Sequence, residues 1–180
     1  MTTGKALMLV ALAAGVFVWA ALLGLHHDSQ SGAVRLATPS VFSGTLTTDS
    51  WGIFDPNTGE VLVGSHEDDV HPIASITKLM TAMVMLDSGD DLDEYIAISE
   101  DDVDHLRNTY SRLKVGMQLR RRDLLLLALM SSENRAAFAI ARTAYPGGIN
   151  EFIRRMNAKA KALGMTNTQF FDPTGLTAQN

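Results

Sequence analysis

Ser75-Ile-Thr-Lys78 pairs a hydroxyl with an amine at a spacing that matters chemically. Residues three apart share one face of a helix, so this spacing sets the Ser75 side chain beside Lys78. A serine hydroxyl is a weak nucleophile until a neighbouring base accepts its proton, and a desolvated lysine can be that base. The pattern predicts acyl transfer through a serine. A chance Ser-x-x-Lys is expected roughly once in a chain of this size, given how common both residues are. The chain does hold a second one, Ser111-Arg-Leu-Lys114, in a polar run broken by Gly116 that reads as a loop. Ser75 differs in context. It follows Pro72 and precedes Leu79, Met80, Met83, Val84, Met85 and Leu86, the composition of a buried helix with Ser75 in its first turn. There the helix dipole favours developing negative charge.

A second polar interruption lies downstream. Arg121 to Met130 reads as a buried helix and Ala136 to Arg142 as another, and Ser131-Ser-Glu-Asn134 separates them. The hydroxyl of Ser132 and the amide of Asn134 need partners there. They are either helix caps, since Ser and Asn favour helix starts, or groups facing a cleft, where Ser132 relays a proton and Asn134 holds a peptide group.

Taken with their flanks, the two motifs resemble a family. His71-Pro-Ile-Ala-Ser-Ile-Thr-Lys-Leu-Met-Thr-Ala82 and Leu125-Leu-Leu-Ala-Leu-Met-Ser-Ser-Glu-Asn-Arg-Ala-Ala137 are similar to the first two motifs of the penicillin-binding D-alanyl-D-alanine peptidases. The Ser-Ser-Glu-Asn-Arg-Ala-Ala wording and Tyr145-Pro-Gly-Gly148 are most similar to the small D,D-endopeptidases of the penicillin-binding protein 7 type. Phe171-Asp-Pro-Thr-Gly-Leu176, with Asn180, resembles the segment that follows the helical subdomain in that family. The resemblance runs from about Ser50 to Asn180.

It implies a serine-type D-alanyl-D-alanine carboxypeptidase or endopeptidase acting on peptidoglycan peptide stems through a Ser75 acyl-enzyme, with β-lactams as covalent inhibitors. By the same resemblance Ser75, Lys78 and Ser132 are catalytic and Asn134 binds substrate. The family also carries a third motif, Lys-Thr-Gly or a variant, on a later strand that helps form the oxyanion hole. This sequence has no Lys-Thr-Gly, and Thr174-Gly175 follows Pro173. Loss of a single oxyanion donor typically costs about 10²–10³ in rate. The expectation is therefore a truncated chain, impaired or inactive alone and poorly folding without a complementing segment. Two other readings stand beside it: a non-catalytic, membrane-tethered peptidoglycan-binding or regulatory fragment, and a serine β-lactamase. The last is disfavoured because no Glu-containing loop can be assigned to a deacylating water.

The elements that must position these groups can be read in outline. Ala6 to Leu25 is an unbroken apolar run of 20 residues, long enough to cross a bilayer core of ~30 Å as a helix. Lys5 precedes it, so the rest of the chain is expected outside the cytoplasm, in the periplasm. Residues 1–26 are thus a membrane anchor, or a signal segment cleaved to release the chain into the periplasm, and 27–49 a linker. Residues 50–180 are read as the N-terminal part of the catalytic domain. Within it, Trp51-Gly-Ile-Phe54 and Glu60-Val-Leu-Val-Gly64 flank the turn signal Asp55-Pro-Asn-Thr-Gly59, a hairpin pattern. Leu92 to Ile98 reads as a short extended piece. Asn150 to Leu163 reads as an amphipathic helix closed by Gly164.

The expected fold is α+β, a partial penicillin-binding/β-lactamase-like fold with the early strands of an antiparallel sheet and a helical subdomain. With 180 residues and 46% hydrophobic content the chain can form one modest domain beside its anchor. A net charge of −5 argues against nucleic acid. Arg120-Arg-Arg122 is expected as a solvated helix start, and Glu100, Asp101, Asp102 and Asp104 as an exposed acidic face. There is no cysteine, and the five histidines form no His-Glu-x-x-His pattern, so neither a metal nor another cofactor is expected. The nine methionines read mostly as core filler at helical spacing.

Overall fold

The computed structural model describes residues 47–180, so the apolar run 6–25 and most of the predicted linker lie outside the described residues. The chain divides between Asp69 and Val70 into two units. In the first, β1 (Trp51–Phe54) pairs antiparallel with β2 (Val61–Ser65), with a register shift between Ile53 and Phe54. The turn closes as its sequence predicts. The Asp55 carboxylate accepts the N–H of Asn57 at 2.7 Å, and Gly59 supplies the φ of +76° that ends it.

The second unit is mainly helical. A 3₁₀ turn (Ala74–Ile76) leads directly into α1 (Thr77–Ser88), which stops at Gly89 in the left-handed conformation. A two-stranded antiparallel sheet follows, β3 (Tyr95–Ala97) against β4 (Gln118–Arg120), with Ile96 opposite Leu119. Then come α2 (Arg121–Met130), α3 (Asn134–Thr143) and α4 (Gly148–Ala162), and a tail of turns to Asn180. Gly164 closes α4 at φ +76°, where its sequence places it, and Phe152, Met156 and Ala160 form the buried stripe at a spacing of four.

Helix α3 is the centre of this unit. Ala136, Ala137, Ala139, Ile140 and Ala141 are fully buried. Four side chains of one carbon each let α2 and α4 approach closely, and both pack against α3. Met80, Val84 and Met85 of α1, Leu124 of α2, and Phe152 and Met156 of α4 fill the space around them. Burial of side chains of this size contributes about 1.5–3 kcal/mol each.

Two sequence expectations need correction. Asp102 and Asp104 are buried, not part of an exposed face. Asp102 accepts two bonds from the Arg142 guanidinium at 2.9 Å and also the Ser99 N–H, so its charge is compensated where it is dry. Arg121 starts a helix as expected but is 1% exposed, lying against Glu94 and Asp90 and donating to Thr143 Oγ1 at 3.1 Å. The methionines divide: Met80, Met85 and Met156 are core, whereas Met117 and Met130 are exposed.

Candidate active site

Ser75 sits in the 3₁₀ turn rather than in α1 itself, one position after Ala74, which adopts φ +46°. A left-handed alanine is strained, and such positions persist only where surrounding contacts hold them. The turn presents Ser75 to solvent, and one helical turn later Lys78 is 2% exposed. The amine reaches back to Ser75 Oγ at 3.2 Å and donates to the Thr174 carbonyl at 2.9 Å. An accessible hydroxyl thus lies over a dry amine.

Ser132 completes the group. It lies between α2 and α3 with φ +55°, a second strained position, and its Oγ donates to Ser75 Oγ at 2.8 Å. The choice between cap and cleft is resolved by its neighbour. Glu133 caps α3, accepting the Arg135 N–H at 3.1 Å, which leaves Ser132 free to face Ser75. Asn134 is the first residue of α3 and does not meet the serines directly. Its Nδ2 donates to Thr109 Oγ1 at 3.0 Å, and that hydroxyl donates to Asp104 at 2.7 Å. Burial pushes the Asp104 carboxyl up, but the N–H groups of Arg107, Thr109 and Leu106 and the Thr109 hydroxyl outweigh it, and its pKa falls to about 2. A buried anion therefore fixes the threonine that holds the asparagine. The Ser111–Lys114 repeat of the motif is in a loop without helix, where the Ser111 hydroxyl bonds to the backbone of Leu113.

Electrostatics favour proton transfer at Lys78. Burial lowers its pKa from the ordinary 10.5 to about 8, against the charges of Asp172 and Glu133, which raise it. At pH 7 about a tenth of the lysines are then free amine. The amine can accept a proton from Ser75 while the Thr174 carbonyl holds one of its hydrogens.

Sequence reasoning named the segment that supplies this carbonyl, Phe171–Leu176, but gave it no part in the site. Asp172 is 7% exposed and Thr174 1%. The Asp172 carboxylate accepts the backbone N–H groups of Thr174, Gly175 and Thr177 and the Thr174 hydroxyl, at 2.6–2.9 Å. Burial raises its pKa, but these bonds from Thr174 and Thr177 prevail and hold it below the usual carboxylate range. The Asp-Pro-Thr-Gly order is a turn signature, which was the available signal.

The model of the D-alanyl-D-alanine carboxypeptidase family matches residues 36–180. The chain belongs to that family. Among its relatives in the D-alanyl-D-alanine carboxypeptidase family, a D-alanyl-D-alanine endopeptidase of Pseudomonas aeruginosa is 56% identical over 135 residues, covering 75% of this chain and 43% of that protein. Another of the same name from Escherichia coli is 45% identical, covering 92% and 53%. The chain spans about half the length of these curated relatives. Among solved structures, a Streptomyces DD-transpeptidase variant matches with a TM-score of 0.70 and 29% identity, covering 76% of this chain and 56% of that one. A D-alanyl-D-alanine carboxypeptidase from Mycobacterium tuberculosis matches at 0.60 and 33%, covering 71% and 47%. The fold is α+β and penicillin-binding-protein-like, as expected from the sequence.

Proposed function

We propose that the protein is a serine D,D-peptidase that cleaves D-alanyl peptide bonds in peptidoglycan, with Ser75 as nucleophile, Lys78 as its base, Ser132 as proton relay and Asn134 as substrate-amide anchor. The observation that carries this reading is the contact of both other groups with Ser75 Oγ: Lys78 Nζ at 3.2 Å and Ser132 Oγ at 2.8 Å. A nucleophile and base within hydrogen-bond reach, the base held by a third group, is the arrangement covalent catalysis requires.

In the proposed cycle neutral Lys78 takes the Ser75 proton as Oγ bonds to the D-alanyl carbonyl carbon. Ser132, beside the same oxygen, passes a proton to the departing amine nitrogen as the C–N bond breaks. Asn134, pre-oriented by Thr109, offers its amide to the substrate backbone. Water then cleaves the ester and returns the proton to Ser75. Penicillins, whose strained amide mimics the scissile bond, acylate the same oxygen. The names of the 56% and 45% identical relatives favour endopeptidase action on cross-links. The apolar run 6–25 supports a location at the periplasmic face of the inner membrane.

The test is labelling with a fluorescent penicillin, applied to the 180-residue chain and to the complete product of its reading frame. We expect a covalent adduct on the Ser75 peptide that is lost in Ser75→Ala. An adduct in neither polypeptide, or one that survives Ser75→Ala, refutes the proposal.

A further inference from the structure

We propose that Asp172 is a positioning residue for the lysine base: its carboxylate folds the 172–177 turn around itself and so aims the Thr174 carbonyl at Lys78 Nζ. This rests on the reading of Lys78 as the base, and it assigns a role to a residue that sequence motifs leave without one.

The geometry has three parts. First, one carboxylate accepts four hydrogen bonds from the turn, three of them on Oδ1, from Thr174 N, Thr174 Oγ1 and Gly175 N, and one on Oδ2, from Thr177 N. An anion gathering several donors gives a turn with little freedom. The Thr174 carbonyl cannot rotate without breaking them. Second, the turn is fastened to the nucleophile's own element. Thr81 of α1 donates to the Pro173 carbonyl at 2.7 Å. Asn180 donates to Thr77 Oγ1 at 3.3 Å and to the Asp172 carbonyl at 2.9 Å, accepts the N–H groups of Phe171 and Asp172, and through its own carbonyl accepts the Ile73 N–H at 3.0 Å. Third, Gly175 packs on the Ser75 turn so closely that a β-carbon there would lie 1.8 Å from the Ala74 carbonyl oxygen. The strained Ala74 is thus wedged from below by the same turn that holds Lys78.

A bond to a carbonyl fixes where the amine points but favours its charged form. The Asp172 charge acts in the same sense. Two carboxylates act electrostatically on Lys78 among the described residues, Asp172 from the tail and Glu133 from the α2–α3 connection, and both raise its pKa. Asp172 therefore trades readiness for position: it holds the amine under Ser75 while keeping more of it protonated.

The experiment titrates Lys78 by NMR with 13Cε-labelled lysine, the signal assigned by its loss in Lys78→Arg, in the wild type, Asp172→Asn and Asp172→Ala. In parallel, the rate of penicillin acylation is followed from pH 6 to 10. We expect Asp172→Asn, which keeps an oxygen for the Oδ1 bonds, to move the Lys78 midpoint below the wild-type value. Its acylation plateau at high pH should stay within about tenfold. Asp172→Ala, which frees the Thr174 carbonyl, should lose roughly 10²-fold at the plateau, the usual cost of a misplaced catalytic group. A Lys78 midpoint in Asp172→Asn equal to that of the wild type overturns the proposal. So does a folded Asp172→Ala with the wild-type plateau. If Asp172→Ala does not fold, the Asn titration alone decides. If no variant forms a penicillin adduct, the acyl-transfer reading fails while the lysine titration still decides whether Asp172 governs Lys78.

Discussion

Acylation should follow the protonation of one lysine. With a pKa of about 8, the free-amine fraction of Lys78 rises from about a tenth at pH 7 to about nine-tenths at pH 9. The pseudo-first-order rate of penicillin labelling should therefore rise about tenfold between those pH values and then level. Lys78→Arg keeps the positive charge at every accessible pH and so should remove the rise, along with about 10²-fold or more of the rate. Stability should change in a linked way. The folded pKa lies below that of the unfolded chain, so below pH 8 both states hold the proton and the folded state bears the full cost of the buried charge. The fall from 10.5 to about 8 makes that cost about 3 kcal/mol. Between about pH 8 and 10.5 the folded lysine is deprotonated first, and stability rises with pH. Lys78→Met removes the buried charge but leaves the Thr174 carbonyl without its donor, a loss of about 1–3 kcal/mol. It should therefore melt within a few degrees of the wild type at pH 7 while labelling no penicillin. Equal labelling at pH 7 and 9, or an arginine variant that labels at the wild-type rate, would sink the reasoning.

Other substitutions probe the supports. Gly175→Ala drives a β-carbon into the Ala74 carbonyl and forces φ +81° on an alanine, so it should cost about 2–4 kcal/mol in denaturant unfolding and abolish labelling. Arg142→Ala strands the buried Asp102 carboxylate and should cost about 3 kcal/mol, measured the same way. Thr109→Val removes the hydroxyl that both accepts from Asn134 and donates to Asp104. It should slow acylation several-fold by weakening substrate binding, leaving the pH midpoint of the rate unchanged. Leu124→Ala, at a fully buried position between α2 and its neighbours, should cost about 2–5 kcal/mol in thermal or urea unfolding.

The helices and the hairpin were legible because their signals are local. The turn signal Asp55–Gly59 between two β-prone runs specified β1 and β2, and the apolar runs at 79–86 and 124–130 specified α1 and α2. Ser75, Lys78 and Ser132 were legible as a candidate site through the flanks of two motifs together, since the Ser-x-x-Lys spacing alone recurs at Ser111–Lys114. The fate of Asp102, Asp104 and Arg121 was not. A charged residue reads as solvated unless its partner is known, and Arg142 lies 40 residues from Asp102. Asp172 and Thr174 stayed hidden for a related reason: what Thr174 contributes is a backbone carbonyl, an atom every residue carries. Asn134 was assigned a substrate role by resemblance, and its tie to Thr109 depends on a loop 25 residues upstream that shows no pattern of its own.

The bonds that hold the serine turn join residues 96 and 103 positions apart in the chain, Lys78 to Thr174 and Thr77 to Asn180. Closing loops of that length comes late in folding, because their entropy is lost before any contact is gained. A chain emerging from the ribosome therefore carries Ser75 and Lys78 without these fastenings until residues 174–180 arrive. On the proposed mechanism, a nascent segment that ends before residue 174 lacks the carbonyl that holds the lysine under the serine.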